Sequence, residues 1–245
     1  MGGEIPANTT ELSEGSRLSG IFFAPTETYQ SIARRPTFLV PLVLLTILSL
    51  GVTWWIGHRV GWEGVVRAQL GQNPRVREMP VEQREQIVQR ALRTAPMFAY
   101  ASGAFSMPFL ALVVSGALLF VFNVLVGSDL DFRRMFSVVS WAMMPYAVLS
   151  VLAFIIIALK LPEDVEVQNL VASNLGAFFD PDRTARPLLS FLRSLDFFSI
   201  WQMFLLSTGL AAIGRKLTFQ KALTWVVIVW VVWVGVKVAW AVIFS

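Results

Sequence analysis

Apolar residues in this chain gather into five long runs, 38–57, 97–127, 135–159, 197–214 and 222–244, separated by polar connections. At about 1.5 Å rise per residue, 20 helical residues cover about 30 Å, the thickness of a bilayer's hydrocarbon core. The pattern therefore predicts an all-α polytopic membrane protein, a bundle of five transmembrane helices. The second run is longer than one crossing needs and carries Pro108. It predicts a tilted or kinked helix that starts outside the hydrocarbon.

Three other segments have a periodicity of their own. After Pro80, the residues Val81, Ile87, Val88, Leu92 and Ala95 recur near helical spacing with Gln and Arg between them, which predicts an amphipathic surface helix. After Pro162, the residues Val167, Leu170, Val171, Leu175 and Phe178 recur at three and four, predicting a second short helix at the interface. From Gly20 to Arg35 the spacing predicts an interfacial helix. Phe22, Phe23, Tyr29 and Ile32 would lie beside lipid while Arg34 and Arg35 meet anionic headgroups; the alternative is simple packing of that face on the end of the bundle. Residues 1–19 read as a polar tail and 20–244 as the membrane domain. The tail has no apolar stretch with a small-residue cleavage site, so no removable signal peptide is expected.

Composition narrows the function classes. With 56% hydrophobic and 15% charged residues, against roughly 45–50% and about 25% in soluble domains, a soluble protein is excluded. The net charge of +4 is not concentrated in one tract, so no nucleic-acid partner is expected. There is no cysteine and a single histidine, which removes disulfides, thiolate chemistry and His-based metal sites. No Gly-rich phosphate loop or nucleophile elbow occurs either. The expectation is a protein that is not an enzyme and needs no cofactor.

Lys and Arg set the orientation. Seven of them, Arg34, Arg35, Arg133, Arg134, Arg215, Lys216 and Lys221, lie within five residues of a run on the face that carries the N-terminus. The other face has Arg59, Arg93, Lys160 and Arg193 in such places. Positive-inside reasoning weights these near positions, giving a cytoplasmic N-terminus and, with five spans, an outward C-terminus.

Lys237 is the one formal charge well inside an apolar run, where a charge costs about 2.5–3.5 kcal/mol unless it snorkels or pairs. If the last two runs form an antiparallel hairpin, Asp196 and Lys237 differ in depth by about 4 to 5 Å, within reach of a Lys stem. They are therefore a candidate intramembrane pair, the other readings being a snorkelling lysine or a polar site at that level. Asn123, Ser115, Ser106, Ser102, Ser207 and Thr208 must bond to other helices or to their own backbone. Ala111 and Ser115, or Ala99 and Gly103, permit close helix approach. Pro108 and Pro145 free backbone carbonyls that could line a cavity or merely kink a helix for packing. Trp54, Trp55, Trp62, Trp225 and Trp240 suit interface anchors. His58 reads as an interface residue, and Asp180, Pro181 and Asp182 as a turn.

The segment GIFFAPTETYQSIARRPTFLVPLVLL, with its aromatic-Ala-Pro turn ahead of the first run, is similar to the opening of bacterial proteins of the Yip (Ypt/Rab-interacting protein) domain family. DFRRMFSVVSWAMMPYAVLSVL resembles the family's third span with its central proline, here Pro145. LDFFSIWQMFLLSTGLAAIGRKLTFQKALTWVVIVW resembles the fourth and fifth, with Leu195, Asp196, Phe198, Trp201, Gly209, Lys221 and Ala222 in the recognisable places. The resemblance implies a five-span bundle with a cytoplasmic N-terminus. Eukaryotic members are trafficking factors that contact Rab-type GTPases, while the bacterial branch has no assigned activity. This chain lacks their long acidic and aromatic N-terminal region, which weighs against a GTPase contact. The expected role is that of a membrane organiser or adaptor in a bacterial inner membrane. Its partners would be membrane lipids and a membrane protein, a second copy of the chain included. The alternative is a transporter or lipid scramblase with a polar path past Asn123, Pro145 and Lys237.

Overall fold

The computed structural model describes residues 12–243 except 72, 166, 182 and 216. Most of the expected polar tail, together with Asp182, Lys216 and the last two residues, lies outside the described residues. The described residues form helices joined by turns and irregular connections, with no strand. Their one β-type contact is an isolated antiparallel bridge between Asn174 and Asp196.

Two short helices open the fold, α1 (Glu14–Phe23) and α2 (Pro25–Arg34). The Ser13 hydroxyl caps α1 by accepting from the Ser16 N–H at 3.1 Å, one of the four donors a helix start leaves without a partner. Pro25 ends α1 and begins α2, because proline has no N–H to continue a helix and a φ suited to starting one. Next come α3 (Leu39–Arg59), α4 (Trp62–Gly71), the single turn α5 (Pro74–Arg77) and α6 (Val81–Phe120). After these come α7 (Phe132–Ala142), α8 (Pro145–Leu159), α9 (Arg186–Ser194), α10 (Phe197–Ile213) and α11 (Phe219–Ile243).

Four helical stretches are long and apolar enough to cross a membrane: α3, α6 with the π-helical turn that extends it to Leu125, the α7–α8 stretch, and α11. This is a multi-pass membrane protein. The fifth apolar helix, α10, has 17 residues and so rises only about 26 Å. Much of it is interior: Phe198, Leu205, Leu206, Ser207, Thr208, Gly209, Leu210 and Ile213 are buried.

Three elements differ from the sequence expectations. The surface helix expected after Pro80 and the second span are one 40-residue helix, α6, which runs through Pro96 and Pro108. It is steadied outside the apolar run by Arg67 on α4, whose guanidinium donates to Glu85 on α6 at 2.8 and 3.0 Å and to Glu63 at 2.8 Å. The third span is broken: Pro145 has no N–H, so the chain tightens into i→i+3 bonds from Met143 to Ser140 and from Met144 to Trp141 before α8 begins. The short helix expected after Pro162 is instead three 3₁₀ turns, Pro162–Asp164, Val167–Asn169 and Leu175–Phe178. β-Branched valines alternating with Asn and Gly favour such turns over a continuous helix. Beyond them lies α9, started by Pro187 and buried through Leu189 and Ser194.

For residues 20–35 the structure takes the packing alternative. α1 and α2 form a helical hairpin, with α2 packed along α10 and α7. Tyr29 and Ile32 are fully buried in protein, Phe22 meets Trp201 edge-to-face at 5.7 Å, and only Phe23, at the tip, is open. Gly209 makes the close approach possible. A Cβ there would stand 2.5 Å from Val138 Cγ1 and 2.8 Å from the Tyr29 ring. The hairpin, α7, α10 and parts of α3, α6 and α11 share one hydrophobic core around the fully buried Trp141.

Candidate functional site

The polar groups inside this bundle separate into two places. The first is the base of the α1–α2 hairpin, where Arg17 is 1% exposed. Its guanidinium donates to the Ser31 hydroxyl at 3.0 Å, the Ser31 carbonyl at 3.2 Å, the Arg35 carbonyl at 3.3 Å, the Thr37 hydroxyl at 2.8 Å and Glu14 at 2.9 Å. Thr37 in turn donates to Glu14 at 3.0 Å, and its carbonyl accepts from the Trp141 indole N–H at 2.8 Å. A guanidinium offers five N–H donors in a fixed fork, and here the surrounding acceptors match that fork. Arg17 thereby ties α1, α2, the start of α3 and the break in the third span into one unit. In sequence Arg17 falls within the expected polar tail, residues 1–19. The clue was the four-residue spacing of Arg17 and Ile21 on one face of a capped helix.

The second place lies where α9 meets the first turns of α10 and the last turns of α11. Asp196 is the N-cap of α10: its carboxylate accepts from the Ser199 N–H at 3.0 Å and takes the Ser173 hydroxyl. Lys237 donates to the Ser194 hydroxyl at 3.0 Å. The expected Asp196–Lys237 pair is therefore not formed in the structure; each group has taken a nearer partner. Depth alone put them together, but the vacant N–H groups of a helix start compete for a carboxylate one residue before it.

Two cavities open on this second place. One, of about 380 Å³, has α6 and α11 as its sides and α10 as its floor, with Tyr146, Arg193, Ser194, Ser199, Gln202 and Lys237 gathered among its polar residues. The other, of about 440 Å³, lies among α3, α6 and α8, with Ser173, Asn174, Arg193, Asp196 and Ser199 on its wall. Arg193 and Ser199 border both. The Tyr146 hydroxyl and the Gln202 side-chain oxygen are joined at 3.0 Å. These polar residues interrupt apolar runs, which was a readable signal, yet only the fold brings them together.

The other expected site residues go elsewhere. Asn123 lies in the π-turn after α6, where its amide donates to the Leu130 carbonyl at 2.9 Å and its carbonyl accepts from the Leu130 N–H at 3.0 Å. It closes the loop to α7 and borders neither cavity. Pro145 is buried at the break, one residue from Tyr146. Arg34 and Arg35 are exposed at the end of α2, where positive charge suits a helix C-terminus. Three of the intramembrane hydroxyls take the second of their two expected modes and donate to their own helix: Ser115 to Ala111 at 2.6 Å, Ser207 to Met203 at 2.7 Å and Thr208 to Phe204 at 2.9 Å. His58 stacks on Trp54 at 5.4 Å, and Asp180 pairs with Arg183 across a turn at 3.4 Å. Among the described residues, no three His, Asp or Glu side chains gather to hold a metal ion.

No curated protein and no solved structure matches this chain. The Yip1 domain does, over residues 19–241, from the second half of α1 to the last turn of α11, and the chain belongs to that family.

Proposed function

We propose that this protein is a non-enzymatic membrane organiser or adaptor of a bacterial inner membrane, acting through lipid and protein contacts rather than by turning over a substrate. One observation carries the reading. Arg17, Asn123 and Asp196 are engaged in holding the fold together, while Arg193 and Lys237, neither of them ion-paired with a described acidic residue, stand at the head of an apolar groove. Such a place suits a contact with the membrane's own components better than the passage of a polar solute. In this proposal α10 is the fourth of five spans, despite its length, because the helices around it supply the polar termination that headgroups give a longer helix. The N-terminus and the basic flanks Arg34, Arg35, Arg133, Arg134 and Arg215 face the cytoplasm and its anionic lipid, and the C-terminus faces outward.

Sealed vesicles containing the full chain test the proposal. Fluorescent phospholipid should cross between leaflets no faster than in protein-free vesicles; acceleration would establish the scramblase alternative instead. The same vesicles report sidedness, because the native chain has no cysteine. A cysteine from Asn8→Cys and one appended after Ser245 should be labelled from opposite sides, and labelling from one side would remove the fifth span.

A further inference from the structure

The groove beside α11 combines a cationic end with apolar walls. Its head holds the Lys237 ammonium, the Arg193 guanidinium and the hydroxyls of Ser194 and Ser199; its walls are Leu110, Val113 and Ala117 of α6 and Val226, Val229 and Trp233 of α11. Leu110, Val113 and Trp233 are exposed, on helices long enough to border the bilayer, so the groove opens sideways toward lipid. We propose that it binds one phospholipid with an anionic headgroup, the phosphate at Lys237 and Arg193 and one acyl chain between α6 and α11. This rests on the reading of the protein as a contact-making membrane component and supplies the partner.

Length, charge and hydrogen bonding each support that occupant. From Val226 to Lys237 the helix rises about 16 Å, close to half of a hydrocarbon core about 30 Å thick, so the groove accommodates the chain of one leaflet. Lys237 lies about 27 Å along α11 from Phe219, which brings its ammonium near the level of headgroup phosphates. Neither Lys237 nor Arg193 forms an ion pair with a described acidic residue, and a cation in such surroundings favours an anion that supplies the missing charge. Asp196, the carboxylate close by, borders the other cavity and is engaged by Ser199 and Ser173. The Ser194 hydroxyl, accepting from Lys237 at 3.0 Å, holds the ammonium at the mouth of the groove. The Tyr146 hydroxyl lies at 3.0 Å from the Gln202 side-chain oxygen, so the Gln202 amide N–H groups are the ones left to face an anionic oxygen. A soluble anion would use the cations and leave the apolar walls of α6 and α11 to water, which the hydrophobic effect disfavours.

The full chain, reconstituted in mixed phosphatidylglycerol and phosphatidylcholine and then released for native mass spectrometry, shows which lipid stays bound. Retention of phosphatidylglycerol is expected with a preference of roughly 30-fold, as two basic side chains near anionic lipid confer. Arg193→Gln with Lys237→Gln should bring the two lipids to parity. Ala117→Phe keeps both cations but fills the groove from an exposed position, and should reduce retention of both lipids while circular dichroism shows the native helix content. Excess glycerol phosphate, which has the charge and no chain, should not displace the bound lipid. Parity in the native chain, an unaltered preference in the double variant, displacement by glycerol phosphate, or a dimer that retains no lipid would each overturn the proposal. Lipid flux in the vesicle assay would sink the organiser reading while leaving this site intact, whereas parity of retained lipids would sink the site alone.

Discussion

Arg17 and Lys237 are both basic side chains set among apolar helices, and the bundle treats them in opposite ways. Arg17 is closed in, with hydrogen bonds to Glu14, Ser31, Arg35 and Thr37. Lys237 is partly exposed, bonds to a single hydroxyl and borders a cavity. A buried charge whose donors are all matched fixes a geometry; one whose donors are largely unmatched is available to something outside the chain. The difference separates an end of the bundle that holds the fold from an end that makes contacts. The third span shows the same division, since its break gives α7 to the first region and α8, with Tyr146, to the second.

The largest expected effect is at Arg17. Arg17→Met removes the fork and leaves the Ser31 and Thr37 groups without their donor, so unfolding in detergent should become easier by about 3–5 kcal/mol. Lys237→Met should alter stability by less than about 0.5 kcal/mol. If the two substitutions cost the same in denaturant titrations, the contrast between the regions fails. The second effect sharpens the contact-making end. Asp196→Ala should cost about 1 kcal/mol by uncapping α10, and combining it with Lys237→Met should show coupling below about 0.5 kcal/mol in a double-mutant cycle. Coupling well above that would restore a direct pair between the two charges.

The smallest effect is at Tyr29. Its hydroxyl is buried with no hydrogen-bond partner, and burial pushes its pKa well above the usual 10.0. Tyr29→Phe should leave stability unchanged or raise it by up to about 1 kcal/mol. The pH dependence has a definite sign. Above pH 10 the unfolded phenol loses its proton while the folded one keeps it, so this residue lowers stability as pH rises. Thermal melts from pH 8 to 11 should fall less steeply for the variant than for the native chain, and parallel curves would show that water reaches the hydroxyl.

The apolar pattern makes most of the helices legible in the sequence, and the differences have two opposite causes, partners that are distant in the chain and a partner that is next to it. Apolar runs gave the helices because a membrane-spanning segment must satisfy its backbone internally. Hydrophobicity does not reveal which neighbour a helix faces, so α10 looked like any span although it is mostly enclosed by protein. The aromatic face of α2 matched both lipid and protein for the same reason. Arg17 was misplaced because its burial depends on Ser31, Arg35 and Thr37, which the chain folds around it. Asp196 was misassigned for the opposite reason: its partner was local, the first turn of the next helix. Pro96 and Pro108 failed to end α6, whereas Pro145 did break its span, and residue type alone does not separate these cases.

The packing of Tyr29 against Gly209 also has a consequence in time. The hairpin is made first, but its bed on α10 is 180 positions later in the chain. At about 5–20 residues per second, synthesis takes roughly 9–36 s to reach it. Until α7 and then α10 emerge, Tyr29 and Ile32 lack the neighbours that bury them in the finished fold, a condition in which an amphipathic segment favours the membrane surface. The N-terminal helices therefore reach their buried positions only after most of the chain has been made, so this part of the core closes late in synthesis although its first stretches of sequence are the earliest to appear.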